Sequence, residues 1–281
     1  MNIPTQTPPA RTPRRVHVRA SPAHRALRLL LAAALLGLLA ACSHAPQRNP
    51  IAEWVPSDNQ DQRRPLLIVL HFTDQDSVEQ SLRTLRTRNS GGRVSSHYLV
   101  GRDGDLYQLV SDERRAWHAG AGSWGTIGDV NSASIGIEID NDGHSPFPPA
   151  QVDTLIRLLD DLCTRWKIPR SAIIGHEDLA PTRKRDPGPL FPWKTLAEAG
   201  FGLWPAADAP AAPEGFDPWT AMRLIGYPIA DRSAATRAFR SRYRGDEATS
   251  FDAEDLRILH ALTRYPAPAV LQPAAAEGEL P

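Results

Sequence analysis

Of the 281 residues only two are cysteine, Cys42 and Cys163. Two cysteines exclude the disulfide framework of a small stapled secreted fold. There is no internal repeat, which argues against solenoids and propellers. No HExxH pair occurs, so the helical signature of the common zinc peptidases is missing. Nor is there an excess of basic charge. Lys and Arg number 32, as do Asp and Glu. The first 41 residues hold six arginines and no acidic residue, and without them the balance is 26 against 32, a net of −6. That is not the balance of a nucleic-acid-binding protein. Leu29–Ala41 is uncharged but only 13 residues long, and a helix that spans a bilayer takes about 20.

That short run has a different meaning. Arg11, Arg14, Arg15, Arg19, Arg25 and Arg28 precede it, and Leu39-Ala40-Ala41-Cys42 closes it. A basic region, a short apolar core and small residues before a cut describe a secretory signal, 1–41. LAAC resembles the bacterial lipobox, which makes Cys42 the lipidated new N-terminus. Such proteins are tied to the membrane by their lipid chains. Ser43 follows, and aspartate at this position is the known inner-membrane retention signal. Serine therefore implies the outer membrane of a Gram-negative bacterium, facing the periplasm. Residues 42–63 are polar and proline-containing and read as a tether. With Cys42 lipidated, Cys163 has no partner, and it lies on an apolar helical stripe that reads as core.

Beyond the tether, strand and helix patterns alternate. LLIVLHF, ending at Phe72, is a continuous apolar run of the kind found in buried strands. Ser77–Arg88 has helical spacing with Ser77 as a candidate cap. Ser95–Val100 and Leu106–Val110 read as strands joined by the Gly101–Gly104 turn. Ser134–Ile139, SIGIEI, alternates like a strand, and Gln151–Trp166 has one apolar helical face. Ile173-Ile174 is a short strand. Together these predict an α/β (α+β) domain over 64–204. A Pro/Ala-rich linker, 205–215, leads to three helical patterns, Trp219–Ile225, Ala234–Tyr243 and Asp252–Thr263. They predict a small C-terminal three-helix domain over 216–266. A Pro/Ala tail, 267–281, reads as disordered.

The densest chemistry lies in GHEDLAPTRKRDPGP, Gly175–Pro189, where His176, Lys184 and Asp186 fall within eleven residues. Imidazole and carboxylate are zinc ligands, and a lysine beside them can donate to a developing oxyanion. A catalytic zinc commonly has three protein ligands and an open position. His71, at the mouth of the LLIVLHF strand, is the best third candidate. It reads equally as a satisfied core histidine, and spacing does not decide. Glu138, between apolar residues in SIGIEI, is costly to bury unless paired or functional. It is a candidate proton carrier, with an edge-strand glutamate facing solvent as the plainer reading. Trp117, His118 and Trp124 lie in a Gly/Ser-rich loop and are candidates for substrate contact, with loop packing as the alternative. Tyr98 is a further contact candidate. His97, on the opposite face of its strand, reads equally as a ligand or as a core or supporting residue.

Five ordered segments carry a resemblance: VLHFT, VSSHYLVGRDGDLYQLV, AWHAG, NSASIGIEI and GHEDLAPTRKRDPG. Over about 64–200 the chain resembles the type 2 N-acetylmuramoyl-L-alanine amidases, a zinc family. The resemblance implies a mixed central sheet flanked by helices and one zinc ion held by His71, His176 and Asp186. It implies Glu138 as acid/base, Lys184 as transition-state stabiliser and His118 in a substrate-contacting segment. The implied activity is hydrolysis of the amide between N-acetylmuramic acid, or its 1,6-anhydro form, and L-alanine. Peptidoglycan or its muropeptides would be the partner, and a monomer is the default state. The C-terminal segment is similar to a peptidoglycan-binding-like module through AxxAFRxxYR, Ala235–Arg244. The competing reading is a non-catalytic peptidoglycan-binding lipoprotein. A zinc peptidase acting on the stem peptide is a third.

Overall fold

The computed structural model describes residues 48–62, 65–89 and 92–264. The predicted signal 1–41, Cys42 and the tail 267–281 lie outside the described residues. Strands β1 (Glu53–Trp54) and β2 (Gln60–Gln62) come first. Then follow β3 (Leu67–Phe72), α1 (Val78–Arg86), β4 (Arg88–Asn89), β5 (Gly92–Arg93) and β6 (Tyr98–Val100). Next are β7 (Leu106–Gln108), β8 (Arg114–Ala116), α2 (Val130–Ala133) and β9 (Ser134–Ile139). The sheet region closes with α3 (Pro149–Trp166), β10 (Ile173–Gly175), α4 (His176–Leu179) and α5 (Trp193–Glu198). Helices α6 (Pro218–Ile225), α7 (Arg232–Arg244) and α8 (Ala253–Leu262) follow.

Six strands form the central sheet in the order β1-β7-β6-β9-β3-β10. Its neighbours run parallel except β6 and β7, a hairpin turned at Gly101–Gly104. This is the mixed sheet flanked by helices that the sequence predicts. Leu67, Ile68, Val69 and Leu70 of β3 are all fully buried, as a central parallel strand covered on both faces requires. Each such side chain contributes about 1.5–3 kcal/mol on burial. The long helix α3 lays Val152, Leu155, Leu159, Leu162 and Cys163 into the same core.

One expectation is corrected near the start. Residues 48–62 are not a free tether. Strand β1 adds to the sheet edge beside β7, and β2 pairs with β8. Asn49 is buried, its backbone N–H donating to Gln108 Oε1 at 2.8 Å and its amide to Asp161 at 2.8 Å. Backbone pairing and this buried asparagine outweigh the polar composition that suggested a linker. The three late helices dock on the core of the sheet region. Trp124 packs edge-on to Tyr227 at 5.0 Å between ring centroids. Gly226, at φ 127°, sits against the Trp124 ring, where a Cβ would stand 2.6 Å from Cε2. Among the described residues no helix is long and apolar enough to cross a membrane.

Candidate active site

Two structural sources feed one cavity. The first is the centre of the sheet. His71 on β3 and Glu138 on β9 are register partners across parallel strands. Register partners point to the same face, about 4.8 Å apart. The period of two then places Ser134, Gly136 and Glu138 along one face of β9, with Ile135, Ile137 and Ile139 on the other.

The second source is the segment after β10. This strand pairs with β3 and ends where α4 begins at His176. The Glu177 N–H donates to the Asp186 carbonyl at 2.8 Å and folds the segment back on itself. Asp186 then faces His176. His71 Nδ1, His176 Nδ1 and Asp186 Oδ2 form a triangle with sides of 2.9, 2.9 and 3.0 Å. All three residues are buried.

This triangle suits a divalent cation. His176 Nε2 donates to the Ala119 carbonyl at 2.8 Å, so its Nδ1 presents a bare lone pair. A lone pair and a carboxylate oxygen crowded at 3 Å, away from water, call for a positive centre among them. Ligands about 2.0–2.2 Å from a tetrahedral zinc stand slightly farther apart than these atoms do. A small outward movement accommodates the ion. The donor set, two imidazoles and one carboxylate, matches zinc and leaves a fourth position for water.

Electrostatics support the division of roles. Burial, with neighbouring His176, lowers the His71 pKa to about 4, so the imidazole is neutral and able to ligate. Burial alone would raise Asp186, but His176 and His71 outweigh it and hold the carboxylate well below the usual range. Glu138 is pushed well above that range by burial and by the negative charge of Asp186, with Lys184 pulling the other way. One carboxylate stays ionised while its neighbour holds a proton readily. The cavity has a volume of about 510 Å³ and is lined by His71, Trp117, His118, Glu138, Lys184 and Asp186 among others.

The N-acetylmuramoyl-L-alanine amidase family (Amidase_2) matches residues 61–189. The structure resembles that of Escherichia coli AmiD in complex with anhydro-N-acetylmuramic acid-L-Ala-D-gamma-Glu-L-Lys. The identity is 32% and the TM-score 0.63, over 77% of this chain and 91% of that one. The chain belongs to the N-acetylmuramoyl-L-alanine amidase family. In sequence it is 41% identical over 158 residues to N-acetylmuramoyl-L-alanine amidase AmiD of Escherichia coli (strain K12), covering 50% of this chain and 55% of that protein. It is 41% identical over 101 residues to the 1,6-anhydro-N-acetylmuramyl-L-alanine amidase AmpD of Citrobacter freundii, covering 36% of this chain and 54% of that one. The chain thus spans about half the length of the curated relatives it matches.

Within this amidase-family chain, His71, Glu138, His176, Lys184 and Asp186 meet at one cavity. Trp117 and His118 line it too. Tyr98 and Trp124 do not, and both expectations of substrate contact are corrected. Tyr98 is fully buried, its hydroxyl donating to Asp112 at 2.7 Å. Trp124 is 5% exposed because Gly226 and Tyr227 cover it. His97 is a buried supporting residue that accepts from the Gly136 N–H at 3.0 Å.

Other residues that shape the site escaped the sequence reading. Asp178 accepts from the Gly175 N–H, from Arg242 at 2.8 Å and from the Tyr227 hydroxyl at 2.7 Å. Glu177 accepts from the Ser241 hydroxyl at 2.6 Å and the Gly188 N–H at 3.2 Å. Arg237 donates to the carbonyls of Pro181 at 2.6 Å and Lys184 at 3.1 Å. Helix α7 therefore grips the segment that carries His176, Lys184 and Asp186. The available signal was the arginine content of α7, RSAATRAFRSRYR, on a helix that is buried from Ala234 to Tyr243.

Proposed function

We propose that the chain is a zinc-dependent N-acetylmuramoyl-L-alanine amidase. It would hydrolyse the amide joining the lactyl group of N-acetylmuramic acid, intact or 1,6-anhydro, to L-alanine of the peptidoglycan stem peptide. The observation that carries this reading is the convergence of His71, His176 and Asp186 on one point, with Glu138 and Lys184 on the same cavity. The family supports it, as does the likeness to an AmiD structure holding an anhydro-muramyl peptide.

His71, His176 and Asp186 would hold one zinc ion. When bound, zinc polarises a carbonyl and lowers the pKa of water from 15.7 to about 7. Glu138 takes the proton from the attacking water and delivers it to the leaving nitrogen as the C–N bond breaks. Its raised pKa suits a group that holds and then releases a proton. Lys184 offers its ammonium to the oxygen on which negative charge gathers. The products are a lactyl carboxylate on the sugar and a free L-alanine amine on the peptide.

The same reading places the protein as a monomeric outer-membrane lipoprotein facing the periplasm, anchored through Cys42. What supports it is the LAAC segment and Ser43, which lie outside the described residues. Helices α6–α8 would be a peptidoglycan-binding-like module. Incubation of purified murein with the zinc-loaded protein, followed by mass identification of products, tests the activity. Free stem peptides are expected. Cleaved stems mean a peptidase, and intact murein means a binding protein.

A further inference from the structure

The AWHAG segment, Ala116–Gly120, contributes more than a wall to the cavity. Ser134 donates its single hydroxyl proton to the Val130 carbonyl at 2.6 Å. Toward His118 Nε2, 3.1 Å away, that oxygen can then only accept. His118 therefore carries its proton on Nε2, and its Nδ1 is bare. This Nδ1 lies 3.0 Å from His71 Nε2, so His71 donates there. The remaining nitrogen, His71 Nδ1, is left with a lone pair that faces His176 Nδ1 and Asp186 Oδ2.

The next residue does the same for the other histidine. The Ala119 carbonyl accepts from His176 Nε2 at 2.8 Å, which leaves His176 Nδ1 bare. The backbone between these two contacts is pinned. The N–H groups of His118 and Ala119 both donate to Asn131 Oδ1, at 3.0 and 2.8 Å. Strand β9 supplies the space. A Cβ on Gly136 would stand 2.7 Å from His118 Nδ1 and closer still to Cγ and Cδ2. Glycine is the residue that lets the ring lie over β9 between Ser134 and His71. His118 is 8% exposed, so most of its ring faces protein.

We propose that His118 and Ala119 form the orienting frame of both histidine ligands, with Asn131, Ser134 and Gly136 holding that frame. His118 is a positioning residue that fixes the tautomer of His71, in place of the substrate contact expected from its loop. The frame selects which ring nitrogen faces the metal. This inference rests on the zinc reading above. Outer partners of metal-bound histidines, where removed, typically cost about 10–100-fold in metal affinity.

The test is the zinc dissociation constant, measured by competition with a chromophoric chelator at fixed neutral pH and without substrate. Thermal melts of the metal-free proteins serve as the folding control. His118→Leu is expected to weaken zinc about 10–100-fold. His118→Asn, whose amide oxygen can stand near Nδ1 and accept from His71, should regain most of that loss. Ser134→Ala should fall between wild type and His118→Leu, because the acceptor that holds the proton on His118 Nε2 is then removed. If His118→Leu does not fold, Ser134→Ala and His118→Asn decide. Zinc bound as tightly by Ser134→Ala as by wild type, or as weakly by His118→Asn as by His118→Leu, overturns the proposal. Unchanged zinc affinity in folded His118→Leu, with a raised KM for a muropeptide, also overturns it and makes His118 a substrate contact, while the metal reading stands. A wild-type protein that binds no zinc removes the metal reading and this inference together.

Discussion

His71 and Glu138 are held differently from His176, Lys184 and Asp186, although all five meet at one cavity. The first pair sits on β3 and β9, whose six register partners make a continuous ladder at the centre of the sheet. Backbone bonds and fully buried neighbours fix them. The other three ride on a segment with one short helix, α4, and otherwise turns. That segment is fixed by side chains of α7, namely Arg237, Ser241 and Arg242. A sheet distributes its support over many weak contacts, whereas the segment depends on a few buried polar ones. Loss of one such contact is therefore felt more sharply.

The largest effects should ignore this difference, because the proposed metal would need both sides. His71→Ala from the sheet and His176→Ala from the segment should each abolish stoichiometric zinc binding and activity, read by metal analysis and murein digestion. Full activity in a zinc-free His71→Ala protein would break the assignment. Next come Glu138 and Lys184, the two groups proposed to act on the substrate. Glu138→Gln should lower kcat about 10²–10⁴-fold and Lys184→Met about 10²–10³-fold, both with zinc retained. The sheet side should also show a stability gain. Burial and Asp186 raise the folded pKa of Glu138, so stability fades as pH rises from the unfolded value through the folded one. Glu138→Gln removes that penalty, and the metal-free Tm at pH 7 should rise.

Stability measurements then sharpen the contrast. Arg242 pairs with Asp178, both buried, and lies over the Trp193 ring at 3.9 Å. Arg242→Met leaves a buried carboxylate without its cation and should cost about 3–5 kcal/mol in urea unfolding. Amide exchange should rise across 175–189 more than in β3, and equal changes in both would contradict the comparison. The sheet side has its own pH response. The folded pKa of His71, about 4, lies below the usual 6.5. The unfolded chain therefore takes up the proton first, and stability is intact above pH 6.5 and falls towards pH 4. The metal-free protein should lose about 3 kcal/mol over that window, and His71→Asn should remove that part of the slope. The smallest effect is expected for Arg237→Ala, about 1.5–3 kcal/mol, the worth of one charged hydrogen bond, because a single nitrogen, Nη2, serves both carbonyls. Its kcat should fall further than its zinc affinity, because one of the two carbonyls belongs to Lys184.

The strands that deliver chemistry are legible because their patterns are local. SIGIEI alternates over the six residues of β9, and LLIVLHF ends where β3 ends. Asp252 starts the last helix by capping α8, as its side-chain type suggests. The triangle of His71, His176 and Asp186 is legible in composition, since His176 and Asp186 are ten residues apart, but His71 is 105 residues from His176. Only the β3–β10 pairing brings them together. Tyr98 was misread because alternation assigns two faces to a strand without saying which one is covered. The grip of α7 and the Asn131 contact were invisible for another reason. Arg242 and Asp178 are 64 residues apart, and Asn131 reaches backbone N–H groups 12 and 13 residues away. Contacts between a side chain and a distant backbone leave no period to read.

The grip of α7 also sets an order of assembly. Synthesis runs from the N-terminus, and β3, β9 and the segment bearing His176 all precede residue 190. Arg237 comes 56 residues after the Pro181 it holds, and Arg242 comes 64 after Asp178. Until they have emerged, the nascent chain holds all five of these cavity residues but lacks the arginines that clamp the segment bearing three of them. A chain arranged this way completes the geometry of its cavity late in translation, and the lag is written into it as distance between a cavity residue and its clamp.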